Sequence, residues 1–369
     1  MKLLSIFGTR PEAVKMAPIL LALDFELFVE SVVCVTGQHR ALLDQVLDYF
    51  SIVPDFDLGA MEPGQGLNLL VARLLSGIDS VLEEVKPDRV LVQGDTSSAL
   101  VGAWAAFHRG IPVAHVEAGL RTYCMTAPFP EEVNRRKIAL ISDLHFTPTP
   151  TAKANLMTER LRGEVFVTGN TGIDALKLVL ARLGEEETPS EPRRKTILVT
   201  CHRRESFGTP FASICAALKR LDQREDIEVL FPRHPNPALD GVAGGLRNLP
   251  PQTLPDFVRL MRRADLILTD SGGIQEEAAT LGKPVVVLRD GTERPEGLSA
   301  GAAILAGSDP DRIVRAAEEI LDRAAQPGRP SDLYGDGFAA RRIVDALLGR
   351  PVDEFTPDIP ARDRVLQIS

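Results

Sequence analysis

Short, nearly uninterrupted apolar runs recur along the chain, at 2–7, 31–36, 90–93, 111–116, 143–148 and 165–168, and again at 196–200, 227–231, 264–270, 283–288 and 302–305. Runs of this length without strict alternation are those of strands covered on both faces, as in a parallel sheet. Helix-length segments separate most of them: one running through Leu23, one to about Phe50, others at 254–263, 274–281 and 339–348, and one following Ser308-Asp309-Pro310, where Ser or Asp caps and Pro opens the first turn. Strand and helix alternate throughout, which predicts an α/β chain of two Rossmann-like, doubly wound domains. A charged, proline-containing run at 184–195 reads as the linker between them. The expected division is 1–170, 171–350 and a tail, 351–369, with no assigned role; the last helix is free to pack back on the first domain.

Size agrees with two domains, since 369 residues exceed one typical core of about 150–200 residues. Apolar content of 44% and charged content of 25% are those of a globular protein. No run approaches the ~18 apolar residues of a membrane helix, and the stretch from Leu3 to Phe7 is too short for a signal peptide, so the cytoplasm is expected. The four cysteines, Cys34, Cys124, Cys201 and Cys215, show no metal-ligand spacing and are expected as reduced thiols. A net charge of −9 argues against nucleic acid and anionic membranes as partners. An anionic substrate therefore needs a local cluster of Arg and Lys.

Candidate chemistry gathers at strand ends. The run at 264–270 ends in Asp270-Ser271-Gly272-Gly273, followed by a helix. Backbone N–H groups at such a turn can approach a phosphate at the positive end of the helix. Glu276 either complements that dipole or faces the ligand; Glu277 suits ribose hydroxyls. Arg289 and Arg294 follow the next strand, and Arg294 can balance phosphate charge. Near the N-terminus, Gly8-Thr9-Arg10-Pro11-Glu12 opens a helix, and Arg10 and Lys15 put two cations where the helix dipole does not favour them. Either they meet an anion or they are solvated surface charges. The strands at 90–93 and 111–116 deliver Asp95 and Glu117 to the crevice side of a doubly wound sheet; the plainer reading of Asp95 is a helix cap. Glu131 opens a further helix and either reaches that crevice or pairs with Arg135, four residues on. His202, ahead of Arg203 and Arg204, is a phosphate contact, an acid catalyst or a surface residue.

Seven motifs in register carry a resemblance: GTRPEAVKMAP at 8–18, VTGQHR at 35–40, VQGDTSSAL at 92–100, HVEAGLRT at 115–122, PFPEEVNR at 128–135, CHRRESFG at 201–208 and DSGGIQEEAATLGKPVVVLRDGTERPE at 270–296. Together they resemble the non-hydrolysing UDP-N-acetylglucosamine 2-epimerases over most of residues 1–350. The resemblance implies a GT-B-like fold with two domains facing a cleft, a homodimer, and interconversion of UDP-GlcNAc and UDP-ManNAc with no NAD or metal cofactor. It implies elimination of UDP to a 2-acetamidoglucal, then re-addition with a proton delivered to the opposite face of C2. Asp95, Glu117 and Glu131 match the family's acid/base carboxylates, and Arg135 and His202 its supporting catalytic positions. Ser271, Gly273 and Glu277 match nucleotide contacts, with Gly272 in the same turn; Gln252 and Phe257 match positions that hold the uracil. Arg10, Lys15 and Arg294 complete the expected substrate site. Some relatives bind a second UDP-GlcNAc as activator; Gln38, His39 and His234 fit that site, whereas Ala41 and Gly64 depart from it, so no activation is expected. Competing readings are a glycosyltransferase on the same fold, a catalytically silent nucleotide-sugar binder that would have lost the acids, and a hydrolysing relative.

Overall fold

The computed structural model describes residues 1–37, 40–62, 64–184, 193–201, 208–232, 246–322 and 330–358, without the side chains of 40, 41 and 248. It falls into two compact units: Met1–Ala175 with Tyr334–Pro357, and Leu176–Leu333. Among the described residues no helix is long and apolar enough to cross a membrane.

The first unit is built on β1 (Lys2–Phe7), α1 (Arg10–Leu23), β2 (Glu30–Val35), α2 (Arg40–Phe50), β3 (Phe56–Asp57), α3 (Leu67–Val85), β4 (Arg89–Gln93), α4 (Ser97–His108), β5 (Val113–Val116), α5 (Glu131–Ile141), β6 (Leu144–Thr147), α6 (Pro150–Glu159), β7 (Glu164–Val167) and the start of α7 (Thr171–Leu183). Its strands pair in parallel in the order β3-β2-β1-β4-β5-β6-β7. Leu3, Leu4, Ile6 and Phe7 are all fully buried, the mark of a central strand with packing on both faces. The order reverses direction between β1 and β4. In doubly wound sheets a ligand crevice lies outside the carboxyl ends of the strands at that point, so the turns after β1, β4 and β5 are where chemistry belongs.

The second unit contains β8 (Lys195–Thr200), α8 (Thr209–Asp222), β9 (Ile227–Pro232), β10 (Arg247–Leu249), α9 (Leu254–Arg263), β11 (Leu266–Thr269), α10 (Gly272–Thr280), β12 (Val285–Val287), α11 (Pro295–Ser299), β13 (Ala303–Leu305) and α12 (Pro310–Asp322). The parallel order β10-β9-β8-β11-β12-β13 repeats the same reversal, here between β8 and β11. Thr200 and Thr269 join the ends of those two strands through a 2.6 Å hydroxyl–hydroxyl hydrogen bond. Each unit has its own apolar core.

The span 171–350 expected as one domain is divided. The helix α13 (Ala339–Leu347) belongs to the first unit, where it packs against α1 and buries Ala339, Ile343, Val344 and Leu347. Its first N–H groups are held by the Asp174 carboxylate, at 3.3 Å from Ala339 N and 2.8 Å from Ala340 N. Burial pushes the Asp174 carboxyl up to about 6. Residues 351–357 continue in that unit, with Phe355 N donating to Val167 O at 2.8 Å; 359–369, like the linker residues 185–192, lie outside the described residues.

Candidate active site

Asp95 lies two residues beyond β4, but it does not cap the next helix. Thr96 does, its hydroxyl accepting from Ala99 N at 3.1 Å. The Asp95 side chain is thereby released for another partner, and Arg135 of α5 donates to its Oδ2. Asn134, the preceding residue, donates to the Asp95 carbonyl at 2.9 Å. Arg135, which the sequence offered as an i,i+4 partner of Glu131, contacts Asp95 in the turn after β4, and Glu132 at 3.6 Å. Glu131 is the first residue of α5 and is half-buried.

Glu117, just beyond β5, adopts φ +65°, a left-handed conformation that costs a non-glycine residue about 1–3 kcal/mol and that clusters at functional sites. Three donors converge on its carboxylate: Lys15 from α1, Gln93 Nε2 at 2.5 Å and Asn170 Nδ2 at 3.0 Å. Lys15 is thus built onto an acid of the same unit, while Arg10 stands half-buried at the first position of α1. The two acids are differently exposed, the Asp95 side chain 24% and the Glu117 side chain 9%. His115, fully buried in β5, bonds the Gly94 carbonyl through Nε2 at 2.7 Å, and burial lowers its pKa to about 3. It is therefore a neutral imidazole that braces the turn carrying Asp95.

The loop after Glu117 is held by a further carboxylate. Glu132 is completely buried and accepts from Thr122 N and Tyr123 N, each at 3.0 Å. Gln93, Asn134, Asn170, His115 and Glu132 were not singled out from the sequence. Gln93 and Asn170 carried a usable signal, since each is a polar residue at or just beyond the end of an apolar parallel strand.

In the second unit, Ser271 is the residue before α10, and Gly272 and Gly273 form its first turn. The two glycines differ. A Cβ on Gly272 would collide with the Arg294 guanidinium, whereas one on Gly273 would meet open space. Arg294 is buried and donates to Glu276 Oε1 at 2.8 Å and to Glu293, which also takes Arg289 at 2.8 Å. Two guanidiniums and two carboxylates thus form a linked cluster beside the turn, and Glu276 serves it in addition to standing near the helix start. Thr292 ties the same loop to the helix, its hydroxyl donating to Gln275 Oε1 at 3.0 Å. Asp270, fully buried, accepts from Cys201 Sγ at 3.4 Å. Glu277 is half-buried on α10. Gln252 donates to the Pro250 carbonyl at 2.5 Å just before α9, and Phe257 is half-buried on that helix.

His202, Gln38, His39 and His234 lie outside the described residues. Gly64 adopts φ +76° with open space around its α-carbon.

Residues 22–348 match the family model described as UDP-N-acetylglucosamine 2-epimerase. The UDP-N-acetylglucosamine 2-epimerase of Escherichia coli K12 is 48% identical, over 94% of this chain and 98% of the relative. The crystal structure of the Neisseria meningitidis UDP-GlcNAc 2-epimerase bound to UDP-GlcNAc superposes with a TM-score of 0.90 at 40% identity, covering 95% of this chain and 100% of the other. A spinosyn rhamnosyltransferase bound to thymidine diphosphate shares the fold alone, with a TM-score of 0.53 at 16% identity over 95% of this chain and 97% of the other.

Proposed function

The chain belongs to the UDP-N-acetylglucosamine 2-epimerase family, and we propose that it interconverts UDP-N-acetylglucosamine and UDP-N-acetylmannosamine by elimination and re-addition of UDP. The observation that carries this reading is a pair of carboxylates at the ends of adjacent central strands, Asp95 and Glu117, each joined to a cation, Arg135 and Lys15. The C2 hydrogen of the sugar is not acidic. Its removal becomes feasible only as the C1–O bond breaks, the bonding pair leaves with UDP and positive charge develops at C1. Carboxylates near C1 and C2 stabilise that charge and take the proton, giving the 2-acetamidoglucal. Return of UDP to C1, with a proton delivered to the other face of C2, completes the inversion.

In this reading the first unit performs the proton chemistry, with Asp95, Glu117 and Glu131 as acid/base groups, Arg135 and His202 supporting them, and Arg10 and Lys15 near the leaving diphosphate. The second unit holds the nucleotide: Ser271, Gly272 and Gly273 at the phosphates, Glu277 at the ribose, Gln252 and Phe257 at the uracil. Arg294 supports the phosphate turn through its packing on Gly272. The N-terminus of α10 favours the anion. The protein acts as a homodimer, a reading supported by Trp104 and Phe107, 42% and 45% exposed on α4. It works in the cytoplasm, in keeping with four free thiols, Cys34, Cys124, Cys201 and Cys215.

The test is incubation with UDP-GlcNAc in D₂O without added metal or NAD, followed by proton NMR. Deuterium at C2 of both sugars is expected. UDP with free ManNAc would indicate a hydrolysing enzyme, and absence of C2 exchange despite UDP binding would reject the reading for this substrate.

A further inference from the structure

One buried carboxylate in the first unit is absent from the proposed chemistry, yet it touches the turn that carries Asp95. Glu12 occupies the third position of α1 and is 1% exposed. Its Oε2 accepts from Gly8 N at 3.0 Å, Thr9 N at 2.8 Å and Thr9 Oγ1 at 2.8 Å. Its Oε1 crosses to a different strand end and accepts from Thr96 Oγ1 at 2.7 Å. Thr96 is the residue after Asp95 and the cap of α4.

In a helix-opening box the acid supplies only the bond to the cap N–H, and Gln serves there as well as Glu. Glu12 does more. Its four bonds join the turn after β1 to the turn after β4, and burial raises its pKa while those bonds lower it. The two turns also meet at Gly8, where a Cβ would collide with Thr36 and Ser98, whose hydroxyls share a 2.7 Å hydrogen bond. Three residues beyond Glu12, on the same helical face, Lys15 reaches Glu117. One turn of α1 therefore fixes both strand ends that present the acids.

We propose that Glu12 is a positioning residue for the reaction: through Thr96 it sets the placement of Asp95, opposite the hold that Asn134 and Arg135 exert from α5. The proposal rests on the epimerase reading. An amide at position 12 keeps the shape but has one acceptor oxygen in place of two, so the Thr96 hydroxyl loses its acceptor. Misplacement of a reacting group by a fraction of an ångström lowers turnover rather than affinity.

The experiment measures kcat and KM for UDP-GlcNAc in Glu12→Gln, Thr96→Val, Thr96→Ser and the Glu12→Gln/Thr96→Val double variant. Glu12→Gln is expected to lower kcat on the order of tenfold with KM held within about threefold. Thr96→Val should do the same, Thr96→Ser should recover most of that loss, and the double variant should fall no further than the worse single one. Additive losses, or a Glu12→Gln kcat within about twofold of the unmodified protein, would overturn the proposal. If Glu12→Gln does not fold, equal kcat values for Thr96→Val and Thr96→Ser overturn it instead. Amide hydrogen exchange provides a readout independent of substrate: Glu12→Gln should speed exchange at 94–100 and leave 266–280 unchanged. Unaltered exchange at 94–100 sinks the clamp, whereas failure of the unmodified protein to exchange C2 hydrogen sinks only the epimerase reading.

Discussion

The two units place acids at the ends of the same kind of sheet and enclose them to different degrees. In the first, the Asp95 and Glu117 side chains each meet a cation and keep 24% and 9% of their surface open. In the second, Glu276 and Glu293 are 2% and 1% exposed and are taken up by Arg294 and Arg289. An ion pair by itself thus says little about role. What separates the two sets is access, because only a carboxylate that a substrate can reach exchanges protons with it, while an enclosed pair holds a backbone turn in place. Glu12 and Glu132, enclosed and bonded to loop N–H groups, belong with the second set although they lie in the first unit.

The sharpest way to break this division is Glu117→Gln. Loss of an acid/base group should lower kcat by about 10²–10⁴-fold, read as C2 deuteration, with UDP affinity by calorimetry within about threefold. An equal loss of UDP binding would put Glu117 with the nucleotide. Next in size, Arg294→Met leaves Glu276 and Glu293 without a guanidinium between them and should cost about 3–5 kcal/mol in denaturant unfolding. Retained stability with weakened UDP binding would make Arg294 a phosphate ligand and erase the contrast. Asp174 tests a buried acid held by backbone donors. Its carboxyl is raised from 3.8 to about 6 in the fold, so the protonated form is the one the fold favours. Its contribution is present in full below about pH 4 and is lost as the pH rises to about 6, a change of roughly 3 kcal/mol. Stability measured across that window should fall in the unmodified protein relative to Asp174→Asn; parallel curves would refute the assignment. Smallest is the glycine pair: Gly272→Ala should destabilise by about 1–3 kcal/mol through its clash with Arg294, whereas Gly273→Ala should gain up to about 1 kcal/mol of helix stability while weakening UDP binding. Equal melting shifts would show that the two glycines are not separated by packing.

Strands with a buried apolar run were readable, because a buried parallel strand needs such a run whatever its neighbours are, whereas the short edge strands β3 and β10 have none and were not read. The helix at 254–263 has the predicted ends, while α10 begins at Gly272 rather than 274, since two glycines are tolerated in a first turn that still lacks intrahelical bonds for its N–H groups. The candidate acids were readable as polar residues following such strands. Their partners were not. Lys15 is 102 residues from Glu117, and Arg135 is 40 from Asp95, so each pairing depends on which strands the sheet order makes neighbours. The same holds for Arg294. Its position after a strand suited a phosphate, but only the folded loop shows two carboxylates and Gly272 around it. Local spacing offered Arg135 the neighbour Glu131 and gave no sign of the long-range partner Asp95.

The return of 334–357 to the first unit bears on the order in which the protein is made. Asn170, a donor to Glu117, has its own N–H fixed by the Tyr334 carbonyl at 2.8 Å, and α13 lies against the helix that carries Lys15. A ribosome must therefore deliver Leu176–Leu333 before the first unit can finish folding. A nascent chain halted ahead of Tyr334 would carry every proposed acid and yet lack the support behind one of them, so competence arrives with the final stretch of synthesis.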